Sequence, residues 1–224
     1  MAQDTVQQIA VWALPILVAI VFHEVAHGWV AFRLGDPTAA RMGRLTLNPL
    51  AHVDLFGTIL IPLLLIISHA PLLFGYAKPV PVNFHNLRNP KRDMVWVALA
   101  GPATNLLLAF AAILALKLAV PLFTDASNTA DWAGVLAFFG PVVLMAKNAV
   151  LINVLLAVFN ALPLPPLDGG RVLVGLLPEP QSSWVARVEP FGFIILLLLL
   201  MTHSLDSVIG APADFLLNFY FGLL

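Results

Sequence analysis

From Ile9 to Phe32 the chain carries only three ionisable side chains, His23, Glu24 and His27, within an otherwise apolar stretch. A run of that length can cross a bilayer, where every backbone group must be satisfied inside the segment, so a membrane helix is the conformation left open to it. Ionisable groups at such depth are costly and usually functional. His23 and His27 are four residues apart and share one helix face, so their imidazoles can point at the same spot. Glu24 stands beside His23, close to that face. Two neutral nitrogens that hold an ion, with a neighbouring carboxylate that takes a proton from the attacking water, are the division of labour of zinc hydrolases.

Composition agrees with a membrane chain. Of the 224 residues, 60% are hydrophobic and only 10% charged, against roughly 25% charged in a soluble domain. The net charge is −1 and no basic tail is present, which removes nucleic acid from the expected partners. The absence of cysteine excludes disulfides and thiolate metal sites. Residues Met1 to Gln8 contain no Lys or Arg, and no small-residue cleavage signal interrupts the apolar run that follows; the N-terminus therefore reads as a retained helix and not a cleaved signal peptide.

In chain order, the first spanning helix covers about Val6 to Leu34 and stops at Gly35-Asp36-Pro37. Arg33, Arg41 and Arg44 follow its histidine-bearing end, which places that end in the cytoplasm. Within Arg41 to Asp54, the piece Arg44 to Leu47 alternates as a short strand would. His52 and Asp54 form a tempting second metal pair, against which Pro49 and Gly57 mark an interfacial loop. Phe56 to Phe74 is apolar but contains Pro62, His69 and Pro71; it spans barely or re-enters. Re-entry is favoured, because it puts the basic loops on both sides of it in the cytoplasm and the acidic loop Asp125 to Asp131 outside.

Gly75 to Val82 (GYAKPVPV) cannot be helical, since Pro79 and Pro81 deny it donors. It is either a plain interfacial loop or an extended segment to which a substrate strand could add at the edge. Met94 to Val120 is a second span, interrupted early at Ala100-Gly101-Pro102 and carrying Asn105; Gly134 to Ala161 is a third, with Lys147, Asn148, Asn153 and Asn160 inside it. In Asn160 to Arg171 (NALPLPPLDGGR) three prolines unwind the chain and two glycines restart it. Asp168 there is either a third ligand or the cap of a helix beginning at Gly169, and the two roles can coexist. A last clear span runs roughly from Trp184 to His203, and an apolar tail from Val208 to Leu224 lies in the interface or spans. The expected fold is one all-α polytopic membrane domain over residues 1–224, with about five to six transmembrane helices and a short re-entrant or extended segment near the active site.

Three pieces occur in one order: HEVAH at 23–27, AGPATN at 100–105 and FNALPLPPLDGG at 159–170. Together they resemble the site-2 protease family of intramembrane zinc metalloproteases, in a compact prokaryotic form without PDZ or CBS domains. The resemblance implies one Zn2+ per chain held by His23, His27 and Asp168, with Glu24 as general base. It also implies Asn160, and Asn105, close enough to the metal to support the reacting carbonyl or the water. The apolar segment 56–74 departs from the most compact relatives. The implied substrate is a membrane-spanning segment of another protein, cut in a multi-pass protein of the cell membrane with its site nearer the cytoplasmic face. Two alternatives carry different expectations. A metal-ion transporter would need a polar series along a path, and an inactive scaffold of the same fold would have lost residues of the motif. The sequence names neither substrate nor oligomeric state.

Overall fold

Backbone groups at membrane depth find partners only within their own segment, and the apolar runs accordingly settle into helices. The computed structural model describes residues 2–68, 75–126 and 132–224. Its α-helices in chain order are α1 (Ala2–Arg33), α2 (Thr38–Arg41), α3 (Ile61–Ile67), α4 (Pro90–Ala126), α5 (Trp132–Asn160), α6 (Asp168–Leu176), α7 (Gln181–Ala186), α8 (Glu189–Met201) and α9 (Asp206–Phe221). No strand occurs among the described residues, so Arg44 to Leu47 does not form the expected strand. Helix α4 runs unbroken through Ala100-Gly101-Pro102, contrary to the interruption read from sequence. A proline removes one helical donor, but leaving the helix at this depth would strand several.

Helices α1, α4 and α5 pack on one another, α6 packs on α4, and α9 leans on α5 and α4. The interior that α4, α5 and α9 share includes Ala109, Ile113, Val150, Val154, Ala213 and Tyr220. Large apolar side chains such as Leu107, Leu118, Phe191 and Phe215 point outward, an arrangement that lipid tolerates and water would not. Three stretches are long and apolar enough to cross a membrane: Ala10–Arg33, Pro90–Ala119 and Phe139–Asn160. The fold is the all-α polytopic one expected, with three such stretches among the described residues against about five to six expected over the whole chain. Helices α8 and α9, about 20 and 24 Å long, are each shorter than a hydrocarbon core of roughly 30 Å. Bent by 82° at a short break, they make one further span at most. Of the apolar run 56–74, residues 69–74 lie outside the described residues, as do 127–131 of the acidic loop.

The segment 75–89, non-helical but for a 3-10 turn at Phe84–Asn86, lies as a strap across the end of α1. The Tyr76 amide donates to Gly57 O at 3.0 Å, Lys78 to His52 O at 2.9 Å, and Arg88 to Leu34 O at 3.1 Å. Arg44 Nη2 donates to Lys78 O and Pro79 O, at 2.9 and 3.3 Å. The chain therefore leaves the histidine end of α1 and comes back to it, which puts both basic loops at one end of the bundle. Cysteines introduced singly at the exposed positions Met42 and His85 should be labelled from the same side of the membrane, and opposite accessibility would refute this topology.

Asp36 pins the strap. It is 1% exposed and accepts from the Thr38 hydroxyl and amide, the Asn83 amide at 2.7 Å and Asn86 Nδ2 at 2.9 Å. Burial pushes its carboxyl pKa up, but the bonds from Thr38, Asn86 and Asn83 outweigh this and hold it below the usual carboxylate range. A carboxyl with a lowered folded-state pKa stabilises fully above its unfolded value, about 3.9, and loses that contribution as pH falls through the folded value. Amide exchange across 75–89 should therefore accelerate on acidification below about pH 4. Asp36→Asn should show fast exchange already at neutral pH; a wild-type strap indifferent to acid would overturn the assignment.

Candidate metal centre

Two helices bring the three expected metal ligands together. His23 and His27 sit one turn apart in the last third of α1, and Asp168 is the first residue of α6, presented by the proline-broken loop that follows α5. Their Nε2 atoms are 3.0 Å apart, and Asp168 Oδ2 lies 3.2 Å from that of His23 and 3.3 Å from that of His27. All three side chains are buried. The rings rest edge to face, 4.6 Å between centroids.

These contacts suit a bound cation. His23 Nδ1 stands 2.6 Å from Asn105 Oδ1 and His27 Nδ1 2.7 Å from the carbonyl of Val97, so each Nδ1 must donate. Each neutral ring then offers Nε2 as a bare lone pair. Asp168 Oδ2 is buried with no hydrogen-bond donor. Three acceptor atoms thus converge with no proton among them, a costly arrangement unless an ion holds it. Ligands about 2.0–2.1 Å from a tetrahedral zinc stand roughly 3.3 Å from one another, which the observed spacings approach. His23, His27 and Asp168 fit the metal in number, donor type and separation, and would leave a fourth position open. Among the described residues no other group of three such side chains assembles.

The cap alternative for Asp168 finds no contact to stand on. Leu167 occupies the N-cap of α6, and no side chain caps that end. The glycines after it face away from the histidine helix. A Cβ on Gly169 would lie 2.2 Å from Ala161 O, and one on Gly170 2.2 Å from Pro165 N, so both pack on their own loop. The residue that meets the histidines is Gly101, where a Cβ would stand 2.4 Å from His27 Nε2 and 2.5 Å from His23 Cε1. His52 and Asp54 do not form a second pair. His52 Nε2 bonds Thr46 O, while Asp54 accepts from the amides of Phe56 and Gly57.

Glu24 faces the site without joining it. Its Oε2 accepts the Val80 amide at 2.7 Å, which anchors the strap beside the histidines. His23, Glu24, Asn160, Tyr76, Phe159 and Phe193 line a cavity of about 320 Å³. It adjoins an apolar cavity of about 530 Å³, with Ile20, Tyr76, Ala77, Leu156 and Phe159 common to both. Asn160 closes α5 with one amide hydrogen on Leu156 O, and its other polar valences are available to the cavity. Asn105 is placed otherwise than the sequence suggested: fully buried, it stands behind His23 and is absent from the cavity lining. Val97 escaped sequence reasoning altogether, because any residue can supply a carbonyl.

Residues 11–202 match the model of peptidase family M50. Over 211 residues the chain is 36% identical to "Putative zinc metalloprotease YwhC" of Bacillus subtilis, covering 92% of this chain and 89% of that protein. It is 33% identical over 215 residues to "Putative zinc metalloprotease Rip2" of Mycolicibacterium smegmatis, and 34% over 214 residues to the Mycobacterium tuberculosis protein of the same name. Those alignments cover 92% of this chain and 74% and 75% of the two relatives. No solved structure matches the chain.

Proposed function

Because the chain belongs to peptidase family M50, the site-2 protease family, we propose that it hydrolyses peptide bonds within or beside the membrane-spanning segments of other proteins. Its metal is zinc, in keeping with that family and the names of its relatives, and His23, His27 and Asp168 would hold it. When bound there, zinc polarises the scissile carbonyl and acidifies the attacking water. Glu24 accepts the water's proton and passes it to the leaving amine, with Val80 N–H holding the carboxylate in place. Asn160 supplies a hydrogen-bond donor for the carbonyl oxygen as negative charge develops on it. Asn105 serves the reaction from behind His23.

The observation that carries this reading is Glu24: a carboxylate beside two metal-ligating histidines, facing their cavity and outside the cluster that would bind the ion. A transporter would gain nothing from a fixed base next to the one such cluster among the described residues. The strap supports a peptide substrate as well. Tyr76, Lys78 and Val80 turn their amides to the protein, and Pro79 and Pro81 have none, so within residues 76–81 the other edge is left the amide of Ala77 as donor. Ala77 lines both cavities, and an unwound substrate could pair there as an added strand. A helical substrate must unwind first, because its carbonyls are internally bonded.

The protein works as one domain over 1–224 in the cell membrane, its site nearer the cytoplasmic face, where Arg33, Arg41, Arg44, Lys78, Arg88, Lys91 and Arg92 gather. Mass spectrometry of membrane proteins from cells with the wild-type chain and with Glu24→Gln tests the proposal. New termini within or next to spanning segments should appear only with Glu24 intact; cleavage confined to soluble proteins would overturn it.

A further inference from the structure

We propose that Asn153, which touches neither histidine, is a positioning residue that fixes the tautomer of His23 through Asn105; this rests on His23 being a zinc ligand. The two histidines are held by different means. His27 Nδ1 donates directly to a main-chain carbonyl, Val97 O, which can only accept, so its proton is placed in one step. His23 Nδ1 meets a side-chain amide, and an amide can present either its oxygen or its nitrogen. Something further back must decide which.

The decision is made at two main-chain carbonyls. Asn153 Nδ2 lies 2.8 Å from Ala149 O, so this amide must turn its nitrogen to that carbonyl and its oxygen the other way. Asn105 Nδ2 lies 2.8 Å from Asn153 Oδ1 and 3.3 Å from Ala19 O, two acceptors that take both of its hydrogens. Only Asn105 Oδ1 remains for His23, at 2.6 Å. An oxygen at that position requires the proton on Nδ1 and leaves Nε2 the lone pair that zinc needs. With Asn105 reversed, an N–H would face Nδ1 and move the ring proton to Nε2, into the space between His27 and Asp168. Asn105 is 0% and Asn153 2% exposed, so water cannot stand in for either amide. The relay joins α1, α4 and α5 at the point where the ligand helix crosses the other two.

Asn153→Leu should lower zinc affinity, read by chelator competition on purified protein, by about tenfold or more, within the range for lost outer partners of a ligating histidine. Asn105→Asp supplies the control, since a carboxylate accepts from Nδ1–H whichever way residue 153 points. In that background Asn153→Leu should cost no zinc affinity. Asn153→Asp, which still offers Asn105 an oxygen, should stay near wild type. The direct readout is the nitrogen NMR of the His23 ring in metal-free protein, which should shift from the Nδ1–H towards the Nε2–H tautomer in Asn153→Leu; Asn153→Ala gives the same comparison if the leucine variant does not purify. Equal loss of zinc in both backgrounds, or an unchanged His23 tautomer, would reduce Asn153 to a packing residue. If instead His23→Ala keeps full zinc, the ligand assignment fails and not the relay alone.

Discussion

Glutamine in place of Glu24 should leave zinc at the wild-type level while cleavage of a membrane-spanning peptide falls by about 10²–10⁴-fold, the range for a lost general acid–base group. The separation follows from the contacts. Glu24 is outside the three-residue cluster, so no ligand is removed. Its one fixed bond comes from the Val80 amide, and glutamine still has a carbonyl oxygen to accept it, so the strap should keep its place. What glutamine lacks is a site for the proton of the attacking water. Zinc content and cleavage are measured on the same purified sample. Near-normal cleavage would remove Glu24 from its role, while loss of zinc together with activity would make it a ligand or a structural support.

The parts of this site that were legible in the sequence are those whose chemistry is local. HEVAH fixes its own geometry, because four residues on a helix make one turn, and the spacing of His23 to His27 could be read before any fold was known. The three prolines before Asp168 announced unwound chain at membrane depth. The partners across helices were less accessible. That Asn105 should orient His23 and not reach the cavity depends on how α4 rotates about its axis, which an almost uniformly apolar helix does not encode in periodicity. Asn153 could be seen as a polar residue in a span, but its pairing with Asn105 bridges 48 residues. Gly101 belonged to a recognised motif, yet its use, a surface with no side chain for two rings to rest on, appears only once α1 and α4 cross.

Directions of the apolar helices were less legible for a related reason. Hydropathy recognises apolar length but not direction, and α8 and α9 are two apolar helices that bend by 82° where the sequence offered one span and a tail. The strap was readable as non-helical from Pro79 and Pro81. Its placement was not, because it depends on Arg44 and Asp36, which bond to it from positions some 35 to 50 residues earlier in the chain. A buried Asp beside a glycine turn reads from sequence as a stop signal for α1 and nothing more.

Asp168→Asn should behave differently from the Glu24 change and lose zinc as well as cleavage. Outer partners of a metal ligand typically contribute 10–100-fold in affinity, so removing a ligand's charge should cost about 100-fold or more. The variant is nearly isosteric, and it leaves α6 intact, since no side-chain cap at the start of that helix depends on residue 168. The cost comes from charge. Two neutral imidazoles and a carboxylate leave a bound Zn2+ at net +1, whereas an amide leaves +2 in a buried site where water cannot screen it. Asp168 Oδ2 has no donor of its own, so it gives up nothing to take an ion; an amide turned the wrong way would instead point N–H groups at two lone pairs. Were Asp168 only a helix cap, asparagine would serve about equally well and both zinc and cleavage would persist. Zinc per chain, measured in detergent for wild type, Glu24→Gln, His23→Ala and Asp168→Asn, should therefore fall into two groups, with only the first two loaded; full occupancy in Asp168→Asn would leave the third ligand to be found elsewhere.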